Sequence, residues 1–354
     1  MFMEDKVTSI LTFYNAENYG AVLQTLALQE ALSNVNQINK AYVIELKPSL
    51  KHFVSKKMKI KLPFFWRIPA LFRFSKSLLM SKKIWTSIKE KINLISWENA
   101  KKGGCIIVGS DQIWNPNFVF EREDYFFLNL GKSAVQKISY AASIGVREWP
   151  DWFKFKALPL LKEFNAISVR ENSAKEYLSS LGLQNVVVVC DPTILLPKEY
   201  YISTFQLSLQ KRDAAFVYKI RETIPSSLAK FVAKSIMIDL SLQKRNPSVS
   251  EWLNNILNSS FVVTDSFHCT VFCLLFHKKF IVISNNSSQK GMNERFATLL
   301  GKTHLEYRCL SCDESSEEVE KILNTSIEWK QVDVVLNEWR TKSLNWLKEV
   351  LVKT

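Results

Sequence analysis

The sequence predicts an α/β protein of two doubly wound, Rossmann-like domains that face a central cleft. Three observations carry this expectation. Apolar runs of strand length alternate with amphipathic stretches, the signature of βαβ units and parallel sheets. Glycine and polar residues gather directly after those runs, where open parallel sheets bind their ligands. The whole pattern then restarts after Lys198.

The first expected strand covers residues 7–13. A turn at 14–20 leads into a helix with Leu23, Leu26, Ala27 and Leu32 on one side. Further strands are expected at 42–46, 105–108, 137–142, 166–169 and 186–190. The last four end in Gly109-Ser110-Asp111, Ser143-Ile144-Gly145, Arg170-Glu171-Asn172 and Asp191-Pro192-Thr193. In the second half, runs at 214–220, 235–240, 261–263 and 280–283 read as strands, with helices at 249–257 and 270–276 between them. A final stretch, 334–352, has Val335, Leu336, Trp339, Leu344, Trp346, Leu347 and Leu351 at helical spacing. The expected division is 1–198 and 199–333, with a closing helix over 334–354 packing back on the first domain. No internal repeat or low-complexity tract interrupts it.

Composition narrows the class. The chain has 354 residues, of which 47% are hydrophobic and 23% charged, so it can build full cores. A net charge of +13 suggests an anionic partner: nucleic acid, a membrane surface or a phosphorylated substrate. Residues 1–20 hold acids beside the first lysine and no small-residue cleavage site, so no signal peptide is expected. No run approaches the roughly 18 apolar residues of a membrane span. Cys105 and Cys190 lie within strand-like runs and read as core thiols of a reducing compartment. Cys309 and Cys312 form a single C-x-x-C with no second ligand pair, so no metal site is expected.

Much of the charge is local. Residues 46–89 contain no acid, and lysines and arginines there alternate with Phe64, Phe65, Trp66, Phe72 and Trp85. One reading is an insertion packed on the first domain. The other is attachment to an anionic membrane, in two short helices because Pro63 and Pro69 break one long one.

Candidate chemistry lies after the strands. His268, in Thr264-Asp265-Ser266-Phe267-His268, sits between a strand and a helix start, a place that suits anion binding and acid–base work. The competing reading is a capping Asp or Ser with a structural histidine. Asp111 could orient a sugar hydroxyl or take its proton, and Trp114 could stack on a sugar face, unless the two form an Asp turn and a packed Trp. Arg170 suits a bidentate grip on phosphate or carboxylate, unless it is spent in a surface ion pair. Asn18-Tyr19-Gly20 opens the first helix, where free amides could meet an anion. The G-x-G-x-x-G and P-loop spacings are absent.

Six segments in order resemble the polysaccharide pyruvyl transferase family. They are Asn18-Tyr19-Gly20-Ala21-Val22-Leu23-Gln24-Thr25, Gly109-Ser110-Asp111-Gln112-Ile113-Trp114-Asn115, Tyr140-Ala141-Ala142-Ser143-Ile144-Gly145, Ser168-Val169-Arg170-Glu171, Asp191-Pro192-Thr193 and Thr264-Asp265-Ser266-Phe267-His268. Asn293-Glu294-Arg295-Phe296 fits as well. The resemblance implies a GT-B-like fold. It also implies transfer of a pyruvyl group from phosphoenolpyruvate to two hydroxyls of a glycan or polyprenyl-diphosphate-linked sugar, as a cyclic ketal, in surface or capsule polysaccharide biosynthesis. Phosphoenolpyruvate is then a co-substrate; no cofactor and no metal are expected.

On this basis His268 and Asp111 are the expected acid–base pair. Arg170, Ser266, Arg295 and Lys290 are expected at the donor, and Asn18, Tyr19, Gly20, Trp114 and Asn115 at the acceptor. Related sequences carry an arginine where Ser266 stands, so either another cation such as Arg147, Lys290 or Arg295 takes its place or the donor differs. Replacing His268 or Arg170 by Ala should cost turnover while barely moving the folding transition. The implied location is cytoplasmic, at the inner face of the plasma membrane. The main rival is a GT-B glycosyltransferase using a nucleotide sugar, since fold cannot separate the two. A nucleic-acid-binding role would account for +13, but nothing else in the chain forms a nucleic-acid module.

Overall fold

A computed structural model describes residues 7–15, 18–35, 40–46, 84–119, 121–240, 247–284, 291, 293–310 and 314–352. Nearly all of the 46–89 stretch, together with Lys290 and Cys312, therefore lies outside the described residues.

The first sheet has seven strands, all parallel where paired: β1 (Thr8–Leu11), β2 (Ala41–Glu45), β3 (Leu94–Ser96), β4 (Cys105–Val108), β5 (Gln136–Ala142), β6 (Ala166–Val169) and β7 (Val187–Val188). Their order is β3-β2-β1-β4-β5-β6-β7. The second sheet has β8 (Phe216–Lys219), β9 (Ile236–Asp239), β10 (Val262–Thr264), β11 (Phe280–Ile283) and β12 (Cys309–Leu310), in the order β12-β11-β10-β8-β9, again parallel. β4, β5 and β11 are buried along their whole length. Helices cover both faces of such sheets, which explains why their strands read as continuous apolar runs rather than alternating ones. Sequence reading misses β3 and β12. Leu94-Ile95-Ser96 is short and half exposed, and β12 has only two residues.

The chain order reverses at β1/β4 in the first sheet and at β8/β10 in the second. These are the topological switch points, where the crossover helices diverge and leave a crevice at the strand carboxyl ends. One hydrophobic core joins the two halves. It runs from Ile10, Leu26 and Tyr140 to Tyr218, Trp252 and Phe272. Tyr19 lies at its centre, stacked on Trp252 with ring centroids 5.0 Å apart and edge-on to Tyr218 at 5.8 Å. Its hydroxyl donates to the Pro247 carbonyl at 2.7 Å.

The closing helix Trp329–Val352 returns to the first sheet. Ser343 Oγ accepts from the Cys190 amide at 3.0 Å, and Gln136 Nε2 donates to the Val350 carbonyl at 3.0 Å. Arg340 Nε donates to the Ile194 carbonyl at 2.6 Å. Cys105 and Cys190 are buried free thiols, and burial pushes both up to about 12. No helix among the described residues is long and apolar enough to cross a membrane.

Candidate active site

The two switch points face each other across a cleft of about 460 Å³. Thr12, Phe13, Asn15, Asn18, Asp111 and Gln112 line it from the first domain. Ile220, Arg221, Asp265, Ser266, His268 and Arg295 line it from the second. Residues more than 150 positions apart in sequence thus meet because both sheets end there.

His268 is set by its helix start. Ser266 caps the helix Phe267–Leu275, its hydroxyl accepting from the Cys269 amide at 3.4 Å. The preceding Asp265 does not act in the cleft as a free carboxylate. Its two oxygens accept from the amides of Ile220, Arg221 and Glu222 at 2.7, 2.7 and 2.8 Å, which fixes the loop after β8. The imidazole is 3% exposed. A Cβ added at Gly20 would overlap its Nδ1 edge, so the first helix can start this close only with glycine there. On the opposite edge, Nε2 lies 3.3 Å from Asp191 Oδ2 without a well-aligned hydrogen bond.

Asp191 belongs to a buried charge cluster. Arg170 Nη1 donates to Asp191 Oδ2 at 2.9 Å. Nη2 lies 3.7 Å from Asp111 Oδ1, and Nε lies 3.9 Å from Glu171 Oε2. Neither of those two nitrogens makes a hydrogen bond. The guanidinium carbon sits 4.6 Å from the Phe267 ring centroid, and that of Arg295 sits 5.7 Å from the same ring. Burial would raise the Asp191 carboxyl, but His268, Arg170 and the Thr193 hydroxyl together hold it well below the usual carboxylate range. Burial pushes the Glu171 carboxyl up despite Arg170, the Ser143 hydroxyl and the Ile144 amide. Burial and repulsion from Arg170 bring Arg295 down to about 10.

This geometry sorts the expected residues. Asn18, Asp111, Ser266, His268 and Arg295 line the cleft, and Gly20 stands against His268. Asn18 Oδ1 accepts from the Gly20 amide at 2.9 Å and so orders the helix start. Asp111 lies just past β4, at φ 69°, a left-handed conformation that Asp tolerates, with Oδ1 accepting from the Gln112 amide.

Four expectations need correction. Trp114 is fully buried, donates from Nε1 to the Phe126 carbonyl at 3.0 Å and stacks on Phe127, so it faces the core and has no free face for a sugar. Asn115 is 1% exposed; its amide donates to Gln112 Oε1 at 2.6 Å and its oxygen accepts from the Asn117 amide, so it shapes the loop behind the cleft wall. Tyr19 is spent on the Trp252 stack between the domains. Arg170 is 1% exposed and does not line the cleft; it neutralises carboxylates beneath the wall instead of gripping the donor. Of the proposed substitute cations, Arg147 points outward to Glu294 at 3.5 Å, leaving Arg295 in the cleft; Lys290 lies outside the described residues.

Sequence reading also overlooks Arg122, Arg221 and the part played by Asp191. Arg221 directly follows the apolar run that forms β8, the placement that singled out the other candidates. Its guanidinium lies over the Phe118 ring at 5.7 Å, across the cleft. Arg122 carries no such signal, since it follows a four-residue helix, Pro116–Val119, rather than a strand. Among the described residues, no group of three or more His, Cys, Asp or Glu is arranged to hold a metal ion.

Two Rossmann-like domains with opposed switch points, an imidazole and arginines at their seam define a protein of the GT-B fold. Within that class the chain belongs to the polysaccharide pyruvyl transferase family, whose model matches residues 18–287. A search of curated proteins finds no match. Among solved structures, the chain is similar to the UDP-GlcNAc 2-epimerase of Methanocaldococcus jannaschii in complex with UDP-GlcNAc and UDP. Identity is 13%, the TM-score is 0.51, and 99% of this chain and 100% of that one are covered. It is also similar to UDP-N-acetylglucosamine 2-epimerase from Rickettsia bellii, at 10% identity and a TM-score of 0.50 over 98% and 96% of the two chains. At this identity the likeness shows the fold alone.

Proposed function

We propose that this transferase moves the pyruvyl group of phosphoenolpyruvate onto two hydroxyls of a glycan or lipid-linked sugar, forming a cyclic ketal and releasing phosphate. The observation that carries the reading is the convergence of His268, Arg295 and Asp111 on one cleft in a member of this family.

The chemistry accounts for each group. Protonation of the donor's methylene makes its enol carbon electrophilic. The first sugar hydroxyl attacks there and loses its proton. Departure of phosphate regenerates an electrophilic carbon, the second hydroxyl closes the ketal, and its proton balances the departing phosphate. His268 supplies the acid, and Asp111, on the opposite domain, takes a hydroxyl proton. Arg295 and Arg221 hold the carboxylate and phosphate, with Ser266 donating from its hydroxyl; a fixed positive site of this kind stabilises charge without reorganising at the moment of reaction. Asn18 and the aromatic wall of Phe13, Tyr14 and Phe118 face the acceptor. The acid-free stretch 46–89 fits attachment to the anionic inner leaflet, where a lipid-linked acceptor resides and each basic residue contributes about 1 kcal/mol.

The test is an assay with phosphoenolpyruvate and a panel of lipid-linked or nitrophenyl glycosides. Phosphate release should match formation of the ketal by mass, and His268→Ala should lower turnover by about a hundredfold or more. Turnover of a nucleotide sugar, with none of phosphoenolpyruvate, would replace this reading with a glycosyltransferase.

A further inference from the structure

We propose that Asp191 is a positioning residue for His268: it fixes the ring's orientation and keeps a proton on Nε2 in both charge states, so that Nδ1 is the nitrogen that takes up and gives away the acid's proton in the cleft. The assignment of catalysis to His268 rests on the function proposed above; the tautomer does not.

Four observations support this. Asp191 is completely buried, yet its side chain is held from every side. Oδ1 accepts from the Thr193 amide at 3.0 Å and the Thr193 hydroxyl at 2.7 Å, while Oδ2 accepts from Arg170 at 2.9 Å and lies 3.3 Å from His268 Nε2. The carboxylate therefore cannot rotate away without breaking three contacts. An ionised carboxylate can only accept, so the imidazole nitrogen facing it must carry the hydrogen. The other ring edge, Nδ1, lies against Gly20 between Asn18 and Ala21, both of which line the cleft. Arg170 completes the arrangement by tying Asp191, beneath the wall, to Asp111 on it. A carboxylate that sets the tautomer of a working imidazole accounts for about 10⁴ in turnover where the tautomer is lost, as in the serine protease triad.

Nitrogen-15 NMR of histidine-labelled protein without substrate tests the idea directly. His268→Gln identifies the His268 signals among the four histidines. At a pH where the ring is neutral, wild-type His268 should show the Nε2–H tautomer. Asp191→Asn can turn a donating amide toward Nε2, so it should move His268 to the Nδ1–H form. In the ketal assay the same variant should lose a hundredfold or more in kcat, with KM for phosphoenolpyruvate within about threefold. Thr193→Val controls for structure: it removes one Asp191 contact without touching His268, and should lower stability while keeping the tautomer and most of kcat. A wild-type ring in the Nδ1–H form overturns the proposal, even if Asp191→Asn does not fold. So does an Asp191→Asn protein that keeps the wild-type tautomer. If wild type forms no ketal, the functional reading fails, and the NMR result still decides the role of Asp191.

Discussion

Gly20 illustrates how a residue without a side chain can be specified by a distant one. Its position in the first turn of a helix would ordinarily favour alanine by about 1 kcal/mol. The His268 imidazole occupies the space a Cβ would need. Gly20→Ala should therefore lower kcat by tenfold or more by displacing the ring, even though the helix itself gains; steady-state kinetics beside a circular-dichroism melt separates the two effects. The sequence pointed to Gly20 for a different reason, the free amides of a helix start. The residue was legible, but its role was not, because the role depends on a partner 248 positions away.

Arg170 shows the same limit more sharply. An arginine after a strand signals an anion, and it does meet anions, but they are Asp191, Asp111 and Glu171 of its own chain. Removing a charge from a buried pair leaves its partners uncompensated, which costs about 3–5 kcal/mol. Arg170→Ala should lower the urea unfolding free energy by that order, contrary to the expectation from sequence that folding would hardly change. Arg170→Lys, which keeps charge but cannot bridge three carboxylates, should fall between. Burial cannot be read from a single strand end, and burial decides whether such an arginine binds substrate or structure.

Strand ends were the most legible elements, because fully buried parallel strands leave long apolar runs whose ends are marked by polar residues. What those ends do to one another was not legible. Asp265 reads as a helix cap, yet it accepts three amides from the loop 220–222 and so holds Arg221 at the cleft. Hydrogen bonds to a charged group contribute about 1.5–3 kcal/mol each and do not add fully. Asp265→Ala should destabilise by roughly 2–4 kcal/mol on that basis. It should also raise KM for phosphoenolpyruvate several-fold by releasing Arg221, whereas Arg221→Ala should raise KM with little change in the melting temperature. If Asp265→Ala loses stability without any change in KM, the loop does not present Arg221 to the donor.

The cleft exists only while the two domains hold their relative position, since His268, Arg221 and Arg295 come from one and Asn18 and Asp111 from the other. The strand pattern and its restart made two domains legible, but not what sets their apposition. Tyr19 is a central contact. It belongs to the first helix, yet it stacks on Trp252, meets Tyr218 edge-on and donates to the Pro247 carbonyl. Truncating a buried aromatic to alanine costs about 3–5 kcal/mol, and here the cavity would open at the seam between domains. Tyr19→Ala should therefore lower both the unfolding midpoint and kcat, because the proposed acid His268 on one domain and the proposed base Asp111 on the other lose register. Tyr19→Phe keeps the stack and loses only the hydroxyl bond, worth about 1 kcal/mol, so its kcat should stay within a few-fold of wild type. Small-angle scattering offers an independent readout: Tyr19→Ala should be more extended than wild type without ligand, and phosphoenolpyruvate should restore compactness less completely. An alanine variant with wild-type scattering and kcat would mean that the remaining core between the sheets sets the domain geometry, and that Tyr19 merely fills space.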